Sequence, residues 1–169
     1  MTTPYALDPV VVYRIAAETP MYGAADVSGE GAKRSGGRWN AAGVPVIYTS
    51  RTRALACLET MVHLTSAMSL PMNRYLVELT LPDAAWNARV QFAAPFAAVG
   101  WDAEPPGRTS MQWGTEWLTR AESLLAEVPS IVVPEETNIL INPAHPDIAV
   151  VAARTVRKWS HDRRFRAVE

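Results

Sequence analysis

Short strand-like segments recur along this chain without regular alternation with helices, and this pattern limits its folds more than any other feature. The segments are rich in β-branched and aromatic residues, and they cover residues 10–15, 44–48, 74–81, 128–134, 138–142 and 148–151. Apolar residues at three- and four-residue spacing predict two amphipathic helices, at 51–64 and at 114–127, with Thr115 as a candidate N-cap of the second. A doubly wound sheet would need strict β-α-β alternation, so we predict an α+β fold in one domain.

Composition agrees with a single folded domain. The chain has 169 residues, of which 49% are hydrophobic and 20% charged, enough to bury its own core. One cysteine, Cys57, excludes an internal disulfide and a cysteine-cluster metal site. The sequence contains no run of about 18 apolar residues and no secretory leader pattern, so we expect a cytoplasmic protein without membrane contact.

Charge argues against nucleic acid as a ligand of the whole molecule. The net charge is −1 and the pI is about 6.3, which gives no general attraction to an anionic polymer. Basic residues nevertheless cluster in the segment 154–166. A solvated chain end is the favoured interpretation of this cluster, with a docking site as the alternative.

The stretch from Gly36 to Glu59, GGRWNAAGVPVIYTSRTRALACLE, concentrates the residues suited to a ligand site. Glycines allow close approach of the backbone to a ligand, and a neighbouring arginine can grip a phosphate or carboxylate through two hydrogen bonds. We therefore predict that this stretch forms one wall of an active-site cleft. The glycine-rich segment 21–37 before it reads as a long loop, and it matches neither a Walker P-loop nor a Rossmann fingerprint.

Three further side chains stay ambiguous when each is considered alone. Arg14 sits inside an apolar strand, where it faces either solvent or a cleft. Glu59 lies on the flank of the apolar face of its helix, and periodicity alone favours an ordinary surface glutamate. Ser130 is predicted to begin a strand and lacks the G-x-S-x-G context of a hydrolase nucleophile, so a triad with His145 and Asp147 is disfavoured. No metal-ligand spacing surrounds His63, and we expect no metal.

The ordered set of motifs resembles the RES domain family, the toxins of Xre/RES toxin–antitoxin modules. The motifs are Tyr13-Arg14, GGRWN at 36–40, VIYTS at 46–50, ALACLE at 54–59 and VPSIVVPEETNILINPAHPD at 128–147. The resemblance treats 1–169 as a single RES-type domain with its motifs within about 10–150, and it leaves the basic segment 154–166 without a role. It implies a mixed, split β-sheet flanked by helices, similar to that of ADP-ribosyltransferases. The arginine, glutamate and serine that name the family fall at Arg38, Glu59 and Ser130, with Arg14 and Tyr48 also in an NAD site.

The implied activity is consumption of NAD by hydrolysis, phosphorolysis or transfer of ADP-ribose to a protein. Arg14 and Arg38 suit the pyrophosphate, Tyr48 can stack on nicotinamide, and Ser130 can bond the nicotinamide amide or a ribose oxygen. Glu59 can hold ribose hydroxyls and offset the charge that develops on the sugar. The resemblance also implies an Xre-type helix-turn-helix antitoxin, and a homodimer or a complex with that antitoxin. The alternatives are a non-catalytic antitoxin-binding module and an RNA-cleaving toxin, and the net charge disfavours the latter.

Overall fold

The computed structural model describes residues 9–64, 71–92 and 99–165, and these form one mixed β-sheet flanked by helices. The strands are β1 (Val10–Ala17), β2 (Ile47–Ser50), β3 (Arg74–Leu81), β4 (Val90–Gln91), β5 (Leu125–Pro129), β6 (Thr137–Ile141) and β7 (Ala152–Trp159). The α-helices are α1 (Glu30–Ser35), α2 (Arg53–Val62), α3 (Asp83–Asn87) and α4 (Arg108–Arg120), with 3₁₀ turns at Pro146–Val150 and Arg163–Phe165. The strand order is β4-β5-β6-β2-β1-β3-β7, and every pair except β4–β5 is antiparallel. The predicted α+β fold is confirmed.

The sheet is split between β1 and β2. β1 pairs with β3 along its whole length, from Val10↔Leu81 to Ala17↔Arg74. β1 and β2 share a single register pair, Tyr13↔Ser50, and the two strands diverge on one side of it. The divergence leaves a wedge in the middle of the sheet, which confirms the predicted split and provides the space for a site.

Two apolar clusters cover the two faces of the sheet. One face buries aliphatic side chains from all the long central strands, among them Val12, Ile47, Leu79 and Ile139. The other face is packed by tryptophans, with Trp39 and Trp117 buried and Phe92, Trp101 and Trp113 partly buried against them. A fully buried Leu, Ile or Val stabilises the fold by about 1.5–3 kcal/mol, so these clusters stabilise the sheet on both faces.

Helix α2 lies where the periodicity predicted a helix. Its N-cap is Thr52, whose Oγ1 accepts a hydrogen bond of 3.0 Å from the Leu55 backbone N–H. Leu55 and Ala56 are buried on the side that meets the sheet. Glu59 follows one turn later on the same helix, beside that buried side.

The second predicted helix was placed wrongly. α4 starts six residues before 114 and ends at Arg120, and Ala121 closes it with a positive φ of 49°. The residues assigned to its last turn form β5, which is buried in the sheet. Thr115 is inside the helix and not at its N-cap, and its hydroxyl accepts a hydrogen bond of 2.9 Å from the Ala41 N–H. Gly114 explains the close packing of the helix, since a Cβ there would lie 2.0 Å from the carbonyl oxygen of Trp39.

Smaller differences concern local elements. The glycine-rich loop contains the short helix α1, and the predicted strand at 148–151 is mostly a 3₁₀ turn. β2 begins at Ile47, three residues later than predicted, and Ser130 follows the end of β5 where we expected a strand to start. Short elements were expected in 84–107, and α3 and β4 are such elements. Pro95 and Phe96 of that region lie outside the described residues.

Much of the basic C-terminal segment is the edge strand β7. It pairs with β3, and most of its residues are exposed. Glu78 on β3 joins it to α2, because its carboxylate bonds Arg154 at 2.5 Å and Arg53 at 2.8 Å. The basic side chains of this strand are mostly exposed, in agreement with the solvated interpretation, while its backbone extends the sheet.

Candidate active site

The wedge between β1 and β2 encloses a cavity of about 440 Å³. Its walls are residues 13–17 of β1, residues 46–50 around β2, one side of α2, the segment 22–32 that ends in the first turn of α1, and Arg74 at the start of β3. Arg14, Tyr48 and Glu59 line it together with Asn138 of β6. The volume lies in the range of about 300–1,000 Å³ that is usual for small-molecule sites. Three of the five predicted site residues therefore share one cavity.

Glu59 presents a carboxylate with one oxygen fixed and one free. Oε1 accepts a hydrogen bond of 2.7 Å from the Ser130 hydroxyl and one of 2.5 Å from the Asn138 side-chain amide. No residue that the structure describes donates to Oε2. The carboxylate is thus oriented by the protein and keeps an acceptor for a ligand.

Ser130 is buried, with 1% of its surface exposed, and its hydroxyl is fully used. It donates to Glu59 and accepts from the N–H groups of Val132 (3.1 Å) and Val133 (3.0 Å). A hydroxyl has one proton to donate and two lone pairs to accept with. A direct bond from Ser130 to a ligand would have to replace one of these three, so its connection to the site runs through Glu59.

Asn138 is the site residue that sequence reasoning missed. Its amide oxygen accepts a hydrogen bond of 2.7 Å from the Ser50 hydroxyl, and Ser50 is its register partner across β2 and β6. The available signal was a polar residue at the start of the apolar run Asn138–Ile141. An asparagine next to a turn is common, however, and it cannot be identified as a site residue unless the position of Glu59 is known.

Arg14 lines the cavity, so of the two orientations left open by the sequence its side chain adopts the one that faces the cleft. Its Nη2 donates to the carbonyl oxygens of Ala24, at 2.6 Å, and Asp26. Its Nε is buried with no hydrogen-bond partner among the described residues. Burial lowers the pKa of Arg14 to about 10, partly offset by the Asp26 carboxylate, so the guanidinium stays charged at neutral pH. The cavity wall therefore contains a fixed positive charge as well as the Glu59 carboxylate.

Tyr48 is held by its hydroxyl. That group accepts a hydrogen bond of 3.0 Å from the Trp39 N–H and donates one of 2.7 Å to Asn40 Oδ1. Burial raises the pKa of Tyr48, so the phenol is neutral. Gly37 allows this packing, because a Cβ there would lie 2.7 Å from the Tyr48 oxygen. The ring is consequently a rigid, uncharged part of the cavity wall.

Arg38 is engaged elsewhere and is not among the residues that line the cavity. Its Nη1 donates to the carbonyl oxygens of Trp101 (3.3 Å) and Ala103 (2.9 Å), and its Nη2 pairs with Glu104 at 2.8 Å. Its side chain is 13% exposed, whereas that of Glu104 is 72% exposed. In this arrangement Arg38 fastens the 101–104 segment to the GGRWN stretch, and the structure does not bring it together with Glu59.

Within 9–64, 71–92 and 99–165, no group of three or more His, Cys, Asp or Glu side chains is placed to hold a metal ion. The helices in the same ranges are all too short or too polar to cross a membrane. The absence of a metal from the site stays a prediction.

The fold has a counterpart among solved structures. The structure is similar to a chain of the crystal structure of the M. tuberculosis MbcT–MbcA toxin–antitoxin complex, with a TM-score of 0.66 and 16% sequence identity. The match covers 88% of this chain and 85% of that chain. At this identity the similarity establishes the fold alone.

Sequence comparison then gives the family. Residues 11–166 match the family model described as the RES domain. The chain is 54% identical over 154 residues to the "Prs ADP-ribosylating toxin" of Sphingobium sp. (strain YBL2), covering 90% of this chain and 94% of that protein. It is 37% identical over 123 residues to the "Toxin Res" of Pseudomonas putida KT2440, covering 72% and 81%. The chain belongs to the RES domain family, as its motifs predicted.

Proposed function

We propose that this protein is a toxin that cleaves the bond between nicotinamide and ribose in NAD. The observation that carries the proposal is the oriented carboxylate of Glu59, with Oε2 free, in a cavity that also contains Arg14 and Tyr48. The name of the Sphingobium relative supports the same chemistry, since ADP-ribosylation requires that nicotinamide leave the ribose. NAD is a substrate here, and the proposed reaction needs no metal.

The reaction places positive charge on the sugar. The C1′–N bond breaks, its electron pair leaves with nicotinamide, and the ribose acquires oxocarbenium character. The nucleophilic atom of the acceptor then bonds to C1′, and the proton it loses passes to the solvent. Glu59 is negatively charged and oriented before the reaction starts, so its attraction grows as the sugar charge develops. One such group commonly contributes about 3–4 kcal/mol to lowering the barrier.

The remaining cavity residues bind the substrate. Arg14 offers a positive charge in the cavity wall to the pyrophosphate. The neutral ring of Tyr48 can stack on nicotinamide. Ser130 acts by holding Glu59. A phosphate contact from Arg38, which the family resemblance implies, requires that its guanidinium leave Trp101, Ala103 and Glu104.

Among the acceptors, a protein side chain is favoured over water and phosphate. The observation behind this choice is 54% identity to a toxin named for ADP-ribosylating Prs, and we propose Prs as the first acceptor to test. We further propose an antitoxin partner of the Xre type in the cytoplasm. Similarity to a toxin–antitoxin complex and to proteins named "Toxin Res" supports a partner of this kind. A homodimer stays a prediction from the family resemblance.

The test follows free nicotinamide by chromatography in mixtures of the protein and NAD. Parallel reactions contain no acceptor, inorganic phosphate, or Prs, and the three products distinguish hydrolysis, phosphorolysis and transfer. Glu59→Gln keeps the shape of the side chain and removes its charge, and Glu122→Gln at an exposed position is the matched control. We expect release by the wild type and the control, with a loss of about 10²–10³-fold in Glu59→Gln. No release with any acceptor would refute the proposal in favour of a non-catalytic binding module.

A further inference from the structure

Asn138 and Ser50 form a hydrogen-bonded chain that ends on Glu59. The Ser50 hydroxyl donates to Asn138 Oδ1 at 2.7 Å, and Asn138 Nδ2 donates to Glu59 Oε1 at 2.5 Å. Both bonds point the same way, from Ser50 towards the carboxylate. Aligned bonds of this kind polarise and strengthen one another.

The chain fixes which end of the Asn138 amide faces the acid. A carboxylate oxygen can only accept, so the amide nitrogen must face Glu59 and the amide oxygen must face away. Ser50 supplies the donor that the outward-facing oxygen needs, and it is 4% exposed, so few waters can replace it. The reverse amide orientation would set two acceptors against each other at Glu59.

The position of this chain in the sheet makes it rigid. Ser50 and Asn138 face each other across β2 and β6, and Ser50 is also the residue that pairs with Tyr13 where β1 and β2 last meet. The chain therefore starts at the apex of the wedge, which is set by backbone pairing on both sides. Glu59, on a helix outside the sheet, is tied to that apex.

We propose that Asn138, held by Ser50, is a positioning residue that keeps Glu59 in one rotamer with Oε2 turned to the substrate. This inference rests on the proposed function, in which Glu59 stabilises the charged sugar. Ser130 donates to the same oxygen from the segment after β5, and Asn138 donates to it from β6. Two donors from different directions therefore fix the position of Oε1. Losing one of them leaves the carboxylate free to turn about the other.

Asn138→Leu keeps a similar volume without the amide, and Asn138→Asp keeps the shape but sets a second carboxylate against Glu59. We expect kcat for nicotinamide release to fall about 10- to 100-fold in Asn138→Leu and further in Asn138→Asp, with KM for NAD within about threefold of wild type. Ser50→Ala removes only the hydrogen bond that orients the Asn138 amide, and it should lower kcat by about two- to fivefold. Asn87→Asp, the same chemical change at an exposed position of α3, should leave both constants unchanged.

A double-mutant cycle separates positioning from an independent role. If Asn138 acts through Glu59, adding Asn138→Leu to Glu59→Gln should cost less than about threefold beyond Glu59→Gln alone. A further 10-fold loss in that background, or a KM effect larger than the kcat effect, would show that Asn138 contacts NAD itself and would overturn the inference.

A crystal structure of Asn138→Leu provides a readout that does not depend on turnover. We expect the Glu59 carboxylate to occupy more than one rotamer or to move beyond the O–H···O hydrogen-bond limit of about 3.0 Å from the Ser130 oxygen. An unchanged single rotamer would refute the positioning role even if the wild type released no nicotinamide. Absence of release by the wild type would count against the proposed function alone.

Discussion

Replacing Ser130 with alanine tests whether this serine works on the substrate or on Glu59. The hydroxyl makes three hydrogen bonds, one of them to a charged carboxylate. A bond to a charged group contributes about 1.5–3 kcal/mol, and each bond to a backbone N–H about 0.5–1.5 kcal/mol. Val132 and Val133 are only half-buried, so water can partly replace their lost acceptor. We therefore expect the free energy of unfolding to fall by about 1–3 kcal/mol. For a chain of this size each kcal/mol lowers Tm by roughly 2–4 °C.

The kinetic effect should appear in kcat. With Ser130 gone, Glu59 keeps only Asn138 as a donor to Oε1, so the carboxylate spends less time in its reactive position. We expect kcat for nicotinamide release to drop about tenfold while KM for NAD stays within about threefold, because no hydrogen bond to substrate is lost. The two measurements are steady-state nicotinamide release and urea unfolding of the same preparations.

Thr119→Ala is the matched control for this substitution. It also deletes a hydroxyl, one that bonds the Thr115 carbonyl at 2.8 Å on the exposed side of α4, and it should change neither kcat nor KM. A Ser130→Ala variant with unchanged kcat and a tenfold higher KM would refute the reasoning, since it would make Ser130 a direct ligand of NAD.

Three further predictions concern the supports of the site. Arg38→Ala and Glu104→Gln should both loosen the 101–104 segment and increase its cleavage in limited proteolysis. The effect of Arg38→Ala should be larger, because it also removes the bonds to the Trp101 and Ala103 carbonyls. A KM rise confined to Arg38→Ala would instead indicate contact with NAD. Gly114→Ala should destabilise the fold by about 1–3 kcal/mol in thermal unfolding, because the new Cβ would overlap the Trp39 carbonyl; an unchanged Tm would contradict the close packing. The arginines that flank Glu78 hold its pKa below the usual 4.5, so the carboxylate stabilises the fold above that pH and loses this effect as pH falls through its lowered pKa. The stability of Glu78→Gln should therefore depend less steeply on pH than that of the wild type below about pH 4.5, and equal slopes would exclude the link.

Local sequence patterns correctly predicted the elements whose apolar residues follow the period of a strand or a helix. Alternation in 74–81 gave β3 with its observed ends, and the apolar spacing in 51–64 gave α2. The second helix was misplaced because Leu124, Leu125 and Ala126 continue an apolar pattern that helix and strand share. The edge strand β7 was missed because its exposed, basic residues carry no apolar signal, and only its pairing with β3 defines it.

The candidate site could be predicted only in part, because its key contacts are long-range. Glu59 and Ser130 were identified as site residues by family resemblance, and their direct bond joins residues 71 positions apart. Asn138 carries no local signal, since its role depends on where α2 sets Glu59. Arg14 lines the cavity together with Glu59. Arg38, which the glycines around it made conspicuous, instead bonds a segment more than 60 positions away.

A crystal structure of Glu59→Gln with NAD bound tests the central claim most directly, because the substitution slows cleavage without changing the shape of the cavity. We predict that the dinucleotide lies in the wedge between β1 and β2, with its nicotinamide ribose beside residue 59 and its pyrophosphate near Arg14. NAD bound elsewhere on the protein, or in the wedge with the ribose out of reach of residue 59, would contradict the account.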